Sequence, residues 1–294
     1  MRKCLYFSDS AHIIERYKFR GYSMKIRKNY AIYDQLKLFL VILALLLFVV
    51  ALFVYTFSHN TRRKSSTMEH LLHTALEPVG TTMYIWGGGW DAEDNEAGAT
   101  STRIGLSPTW KEYASRQDAS YDFTKHRWER ENGLDCSGYV GWVLYNTFET
   151  KDGELGYVMS STDMALTYAR WRFGKAIKNP KEFLPGDIVS MDGHVWISLG
   201  TCADGSVLFV HSSPPGVMVC GTEGVANQLA EAFMSEYYPD WYERYPNCSK
   251  PDSYLENVTL MRWNENTLKG AKDFQKLSGE EVLDYLKTRQ NVIQ

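Results

Sequence analysis

Twenty consecutive residues decide most of what this chain can be. Leu38 to Phe57 reads LFLVILALLLFVVALFVYTF, without a charge, a proline or a glycine. At about 1.5 Å of rise per residue, a helix of that length crosses a hydrocarbon core of about 30 Å. A buried core helix is the competing reading, but such helices are usually shorter and interrupted by polar positions. The stretch is expected to form one transmembrane helix. Residues 18–37 carry six basic side chains and residues 58–77 carry three. The positive-inside rule then puts the N-terminus in the cytoplasm and the remainder outside. Tyr55 to His59 offers no small-x-small cleavage site, so an uncleaved anchor fits better than a signal peptide.

The charge distribution follows the same division. The formal net charge of −3 is the sum of +9 over residues 1–64 and −12 over residues 65–294. A hydrophobic fraction of 44% excludes a disordered chain, and a mean hydropathy of −0.34 excludes a multi-span membrane protein. Five cysteines are too few for a disulfide scaffold. The near-neutral total argues against nucleic acid as a partner.

Residues 1–37 read as a basic cytoplasmic tail and 58–65 as a short linker. Residues 66–77 have helical apolar spacing, ended by Pro78 and Gly80. Gly87-Gly88-Gly89 marks a tight turn, and no Lys-Ser/Thr follows to make it a phosphate loop. Residues 91–132 are weakly periodic and read as a long loop with a short helix near Thr109 to Ala114. A buried helix is expected to open near Cys136, and another over residues 161–171 with Ser161 or Thr162 as cap. From Pro185 the period changes to two. Short strands are expected over 187–190, 194–199, 207–211 and 217–220, separated by turn residues as in an antiparallel meander. Residues 223–236 and 279–288 read as helices, and Asn257 to Trp263 as a closing strand. Helices first and an antiparallel sheet second make an α+β domain.

Cys136 stands where a helix begins, and helix N-terminal amides lower a thiol pKa. The bland alternative is a small buried apolar residue. Of seven histidines, only His194 and His211 fall on expected strands. They lie at the same end of a hairpin, within reach of one another, in the pattern of a nucleophile, its base and an orienting group. His211 could equally be a satisfied core histidine. His70 and His73 lie three apart on a helix with no third ligand nearby, so no metal and no cofactor is expected.

Five short motifs occur in order: Tyr84-Ile85-Trp86-Gly87-Gly88, Leu134-Asp135-Cys136-Ser137-Gly138, Leu184-Pro185-Gly186-Asp187, Gly193-His194-Val195-Trp196 and Phe209-Val210-His211. Together they resemble NlpC-type cysteine peptidases of the bacterial cell wall, over residues 66–263. The resemblance implies a papain-like domain, with N-terminal helices carrying the cysteine and a C-terminal antiparallel sheet carrying the histidines. It implies hydrolysis of amide bonds in peptidoglycan stem peptides, commonly the γ-D-glutamyl bond to the diamino acid. Carried over, Cys136 is the nucleophile, His194 the base and acid, and His211 its orienting partner. Tyr84 and the Cys136 N–H stabilise the oxyanion. Asp135, Ser137 and Trp86 are the implied substrate contacts, although Asp135 could serve as a helix cap.

Two insertions depart from the family pattern, at 90–132 and 221–252. The first could roof or block the groove. The second carries Tyr237, Tyr238, Trp241 and Tyr242, as a wall of the cleft or as core. Residues 264–294 read as a helical extension. Outside the reducing cytosol, two of Cys202, Cys220 and Cys248 could pair, for instance Cys202 with Cys220. The alternatives are a catalytically silent module that binds wall peptides or a partner, a CHAP-type amidase, and a circularly rearranged acyl transferase. The last is disfavoured because Cys136 precedes the histidines. The anchored architecture also suits a component of envelope machinery such as a secretion or conjugation channel.

Overall fold

The computed structural model describes residues 37–49, 66–93, 96–150 and 155–290. The chain divides into two units, Met1–Arg62 and Arg63–Gln294. In the first, residues 37–49 are helical, and the remainder of the apolar stretch lies outside the described residues. Among the described residues no helix is long and apolar enough to cross a membrane. Of the transmembrane helix expected over 38–57, residues 50–57 lie outside the described residues, and the described part does not by itself make a span.

The second unit is built on a mixed sheet of eight strands. These are β1 (Met83–Tyr84), β2 (Gly133–Leu134), β3 (Gly174–Lys178), β4 (Ile188–Met191), β5 (His194–Thr201), β6 (Val207–Ser213), β7 (Gly216–Gly221) and β8 (Thr259–Trp263). Their order across the sheet is β2-β1-β7-β6-β5-β4-β8-β3. Strands β4 to β7 follow one another as antiparallel neighbours. The turn between β4 and β5 is only Asp192-Gly193, with Met191 paired to His194. Gly193 has φ +70 there, a left-handed backbone that costs glycine nothing.

This sheet overturns the expected papain-like partition into helices first and an antiparallel sheet second. Strands β1 and β2 both precede Cys136, and they pair in parallel. Strand β1 also joins the antiparallel set through Met83 and Gly216. The strand expected to close the sheet, β8, lies between β4 and β3 instead. Strand β3 reads GKAIK, and its lysines suit the edge it occupies.

The Cys136–Thr147 helix is buried along its whole length. Its run of apolar residues on every side is what a fully enclosed helix requires. It packs against the Met68–Leu76 helix and on β5 and β6. Its first turn touches the glycine turn that precedes β2: a Cβ on Gly138 would stand 2.0 Å from the Gly88 carbonyl oxygen. No side chain fits at that contact.

The chain after Trp263 is part of the same unit. Val282, Leu283 and Leu286 of the Gly279–Gln290 helix are buried, and that helix packs on β5. The Lys269 amide donates to the Ser66 carbonyl at 3.0 Å. Beneath this, Asp187 is fully enclosed and receives Nε and Nη2 of Arg262 at 2.8–3.2 Å, besides the Leu184 amide at 2.9 Å. Burial pushes its pKa up to about 6 even so, the Arg262 charge pulling the other way.

The described residues of the two segments read as insertions, 90–132 and 221–252, brace each other. The first holds the Pro108–Ser115 helix, whose Trp110 lies edge-on to Trp142 at 5.8 Å. The second holds the Val225–Tyr237 and Pro239–Arg244 helices. Its aromatics pack inward: Trp241 is buried, and the Tyr238 ring covers Gly80. Arg244 Nη1 donates to the carbonyls of Ala114 and Gln117 at 2.8 and 2.6 Å, and the Tyr245 hydroxyl to that of Asp118 at 2.7 Å.

All four described cysteines are free, so none of the pairs among Cys202, Cys220 and Cys248 that the sequence leaves open is formed. Cys202 follows β5 and Cys220 lies on β7, with β6 between them. Strands two places apart are about 9.5 Å from each other, beyond the Cα separation a disulfide spans.

Candidate active site

Strand pairing brings Tyr84 to Cys136. The parallel register sets Tyr84 opposite Leu134, two residues before the cysteine. Asp135 then caps the helix that Cys136 opens. Its Oδ1 accepts from the Gly138 amide and the Ser137 hydroxyl, each at 2.7 Å, and its Oδ2 from the Gly87 amide at 3.2 Å. The Ser137 hydroxyl in turn accepts from Trp90 Nε1 at 2.9 Å. Both side chains are buried. Their polar atoms are spent on holding the cysteine helix to the glycine turn, which is the cap role for Asp135. Trp86 is 43% exposed and lies on the outer side of that turn.

The cysteine meets the β4–β5 hairpin. Cys136 Sγ is 4.0 Å from the Gly193 carbonyl oxygen, and the Val195 amide also reaches it. The sulfur therefore faces the residues on either side of His194. On the sheet, Ile197 pairs with Val210, so His194 and His211 share one face. His194 Nε2 and His211 Nδ1 are 2.8 Å apart, with the rings near perpendicular at 77°. That contact leaves Nδ1 as the other ring nitrogen of His194.

The electrostatics differ from those expected of a helix-start cysteine. Burial pushes the Cys136 thiol up to about 12, with the Asp135 charge adding to it. The Val195 and Ser137 amides and the Ser161 hydroxyl pull the other way and are outweighed. Asp135 itself is raised to about 6 by burial. His194 keeps an edge toward solvent, yet burial still lowers it to about 4, with Lys250 adding to the shift. Burial holds His211 well below the ordinary range, with His194 and Lys250 contributing. At neutral pH the resting site is a protonated thiol beside two neutral imidazoles. Iodoacetamide labelling of Cys136, followed by peptide mass spectrometry, is therefore expected to speed up about tenfold per pH unit between 7 and 9. A plateau reached near pH 7 would instead show a thiolate–imidazolium pair.

Tyr84 is buried, and its ring stands edge-on to Phe123 at 5.4 Å. Burial raises its phenol, and the charges of Cys136 and Asp135 raise it further, with Arg127 opposing. The hydroxyl therefore stays protonated, as a donor.

Several contributors carry no signal in the sequence. Ser161 and Thr162 read as helix caps, but the cap is Asp163. Ser161 reaches the Cys136 sulfur, and the Thr162 hydroxyl accepts from the Gly193 amide at 3.3 Å. Tyr254, from the Asp252–Leu255 turn, lies 5.5 Å from the His194 ring and 5.9 Å from His211, and stacks on Phe209 at 5.8 Å. It roofs the histidine pair. Tyr254→Ala is expected to raise the His194 pKa from about 4 toward 6.5, because water then reaches the ring. Imidazole proton shifts followed against pH by NMR give the value, and an unmoved pKa would remove that role.

No family model matches this chain, and no curated protein or solved structure is significantly similar to it. Among the described residues no group of three or more metal-binding side chains gathers anywhere.

Proposed function

We propose that this chain is a cysteine hydrolase of peptide amide bonds, with peptidoglycan stem peptides as its substrates. The observation that carries the reading is the 2.8 Å contact between His194 Nε2 and His211 Nδ1, on a hairpin whose turn touches the Cys136 sulfur. The substrate class rests on the resemblance of the five motifs.

In this reading Cys136 Sγ attacks the scissile carbonyl while its proton passes to His194 Nδ1. His211 accepts from His194 Nε2–H and holds the ring in that tautomer. The oxyanion meets the Cys136 amide, a first-turn N–H without an intrahelical partner, and the Tyr84 hydroxyl. His194 then protonates the leaving amine. Water, deprotonated by His194, cleaves the thioester and returns the thiol.

A silent peptide-binding module is the second reading. The buried Cys136, whose thiol pKa is pushed up by desolvation, favours it. The deciding experiment digests purified stem-peptide fragments with the full chain and with Cys136→Ala, and reads the products by mass spectrometry. Cleavage within the stem by the wild type alone supports the proposal. Equal cleavage by the variant, or none by either, overturns it. Cleavage at the sugar–peptide amide in place of the stem would identify a CHAP-type amidase.

A further inference from the structure

Two tryptophans beside the site remain open to solvent, Trp86 at 43% and Trp128 at 55%. Each carries an arginine on its face. The Arg127 guanidinium carbon is 4.8 Å from the Trp86 ring centre, and that of Arg130 is 4.7 Å from Trp128. Among the described residues neither arginine makes an ion pair. Arg130 Nε is buried without a hydrogen-bond partner. The acid between them, Glu129, is engaged by Tyr113, His126 and Asn132.

The backbone holds this cluster against the cysteine helix. The Trp128 amide donates to the Trp86 carbonyl at 2.9 Å. The Trp128 ring lies on Gly87, where a Cβ would come within 2.3 Å of it, and the Gly87 amide is bound by Asp135. Trp128 sits at φ +67, a conformation rare for a bulky residue and kept only where the surroundings enforce it. The Arg127 charge also reaches the Tyr84 phenol, as do those of Asp135 and Cys136. The arginines are therefore pre-positioned cations without an ion-pair partner, on the glycine turn that Asp135 ties to the cysteine helix. A guanidinium laid on an indole face keeps its N–H edge for a planar oxyanion.

We propose that Trp86, Arg127, Trp128 and Arg130 form an anion subsite that binds a substrate carboxylate adjacent to the scissile amide. A γ-linked glutamyl residue offers such a group, since its α-carboxylate stands free near the γ-carbonyl. This inference rests on the hydrolase reading, and it assigns the first insertion to substrate selection.

The test is binding to the full chain carrying Cys136→Ala, so that no turnover is needed. The probes are L-alanyl-γ-D-glutamyl-diaminopimelate and its glutamyl α-amide, titrated by calorimetry. The carboxylate form is expected to bind about tenfold more tightly, as a charge-assisted contact does. The preference should vanish in Arg127→Gln combined with Arg130→Gln, and Arg127→Lys should retain part of it. Equal affinity for the two probes, no binding of either, or a preference that survives the double substitution overturns the subsite. Failure of the hydrolase reading would look different: the binding preference persists while the wild-type chain cleaves neither probe.

Discussion

Cys136→Ala is expected to lower stem-peptide turnover by at least about 10,000-fold, because no other group at the site can form the acyl intermediate. Binding should survive, since the side chain is small and it contacts only the Gly193 carbonyl, neighbouring amides and the Ser161 hydroxyl. His194→Ala should cost a similar factor. The informative case is the double variant. Residues that act as one unit are strongly non-additive, so losing both should be little worse than losing either. Single-turnover rates of the three variants on one stem peptide measure this. Multiplying effects would mean that Cys136 and His194 do not share a step.

Arg262→Leu is expected to cost about 3–5 kcal/mol of stability, because it strands a buried carboxylate without its partner. In a domain of this size that is a fall of roughly 10 °C in Tm. Asp187 keeps the Leu184 amide but loses the three contacts from Arg262. The pH dependence has a definite sign. Asp187 already titrates near 6 in the folded protein, above its ordinary value of 3.8. The folded state thus holds the proton more tightly than the unfolded one. Stability from this group is present at low pH and is lost as pH rises through 6. Removing Arg262 raises the folded pKa further, so the Tm deficit should be larger at pH 8 than at pH 5. Combining Asp187→Leu with Arg262→Leu should recover most of the loss, as thermal melts of the four proteins would show.

The parts of the fold legible in the sequence are those with a strong local pattern. The apolar run after Cys136 announced an enclosed helix, and the period of two after Pro185 announced β4 to β7. Asp192-Gly193 announced the hairpin that carries His194. Strands β1 and β2 are two residues long, too short to show any period, and only their pairing makes them strands. GKAIK has no apolar face, so β3 exists because β8 offers it an edge. The site divides in the same way. Tyr84, Cys136, His194 and His211 sit in recognisable contexts. Trp90, Ser161 and Tyr254 come from irregular segments and arrive through tertiary contacts alone. The state of the thiol is not legible in the sequence, for a different reason. A helix start and a buried acidic neighbour act in opposite directions, and only the depth of burial decides between them.

The two-residue turn before His194 also says where this chain can change in length. One extra residue between Asp192 and Gly193 would lengthen the two-residue turn and displace the Gly193 carbonyl that faces the Cys136 sulfur. Growth is thus disfavoured at the hairpin that carries His194. It is admitted after the glycine turn and after β7, where the two insertions stand and brace each other through Arg244. Relatives of this chain with different substrate preferences should therefore vary in those two segments and keep the spacing from Met191 to His194 constant.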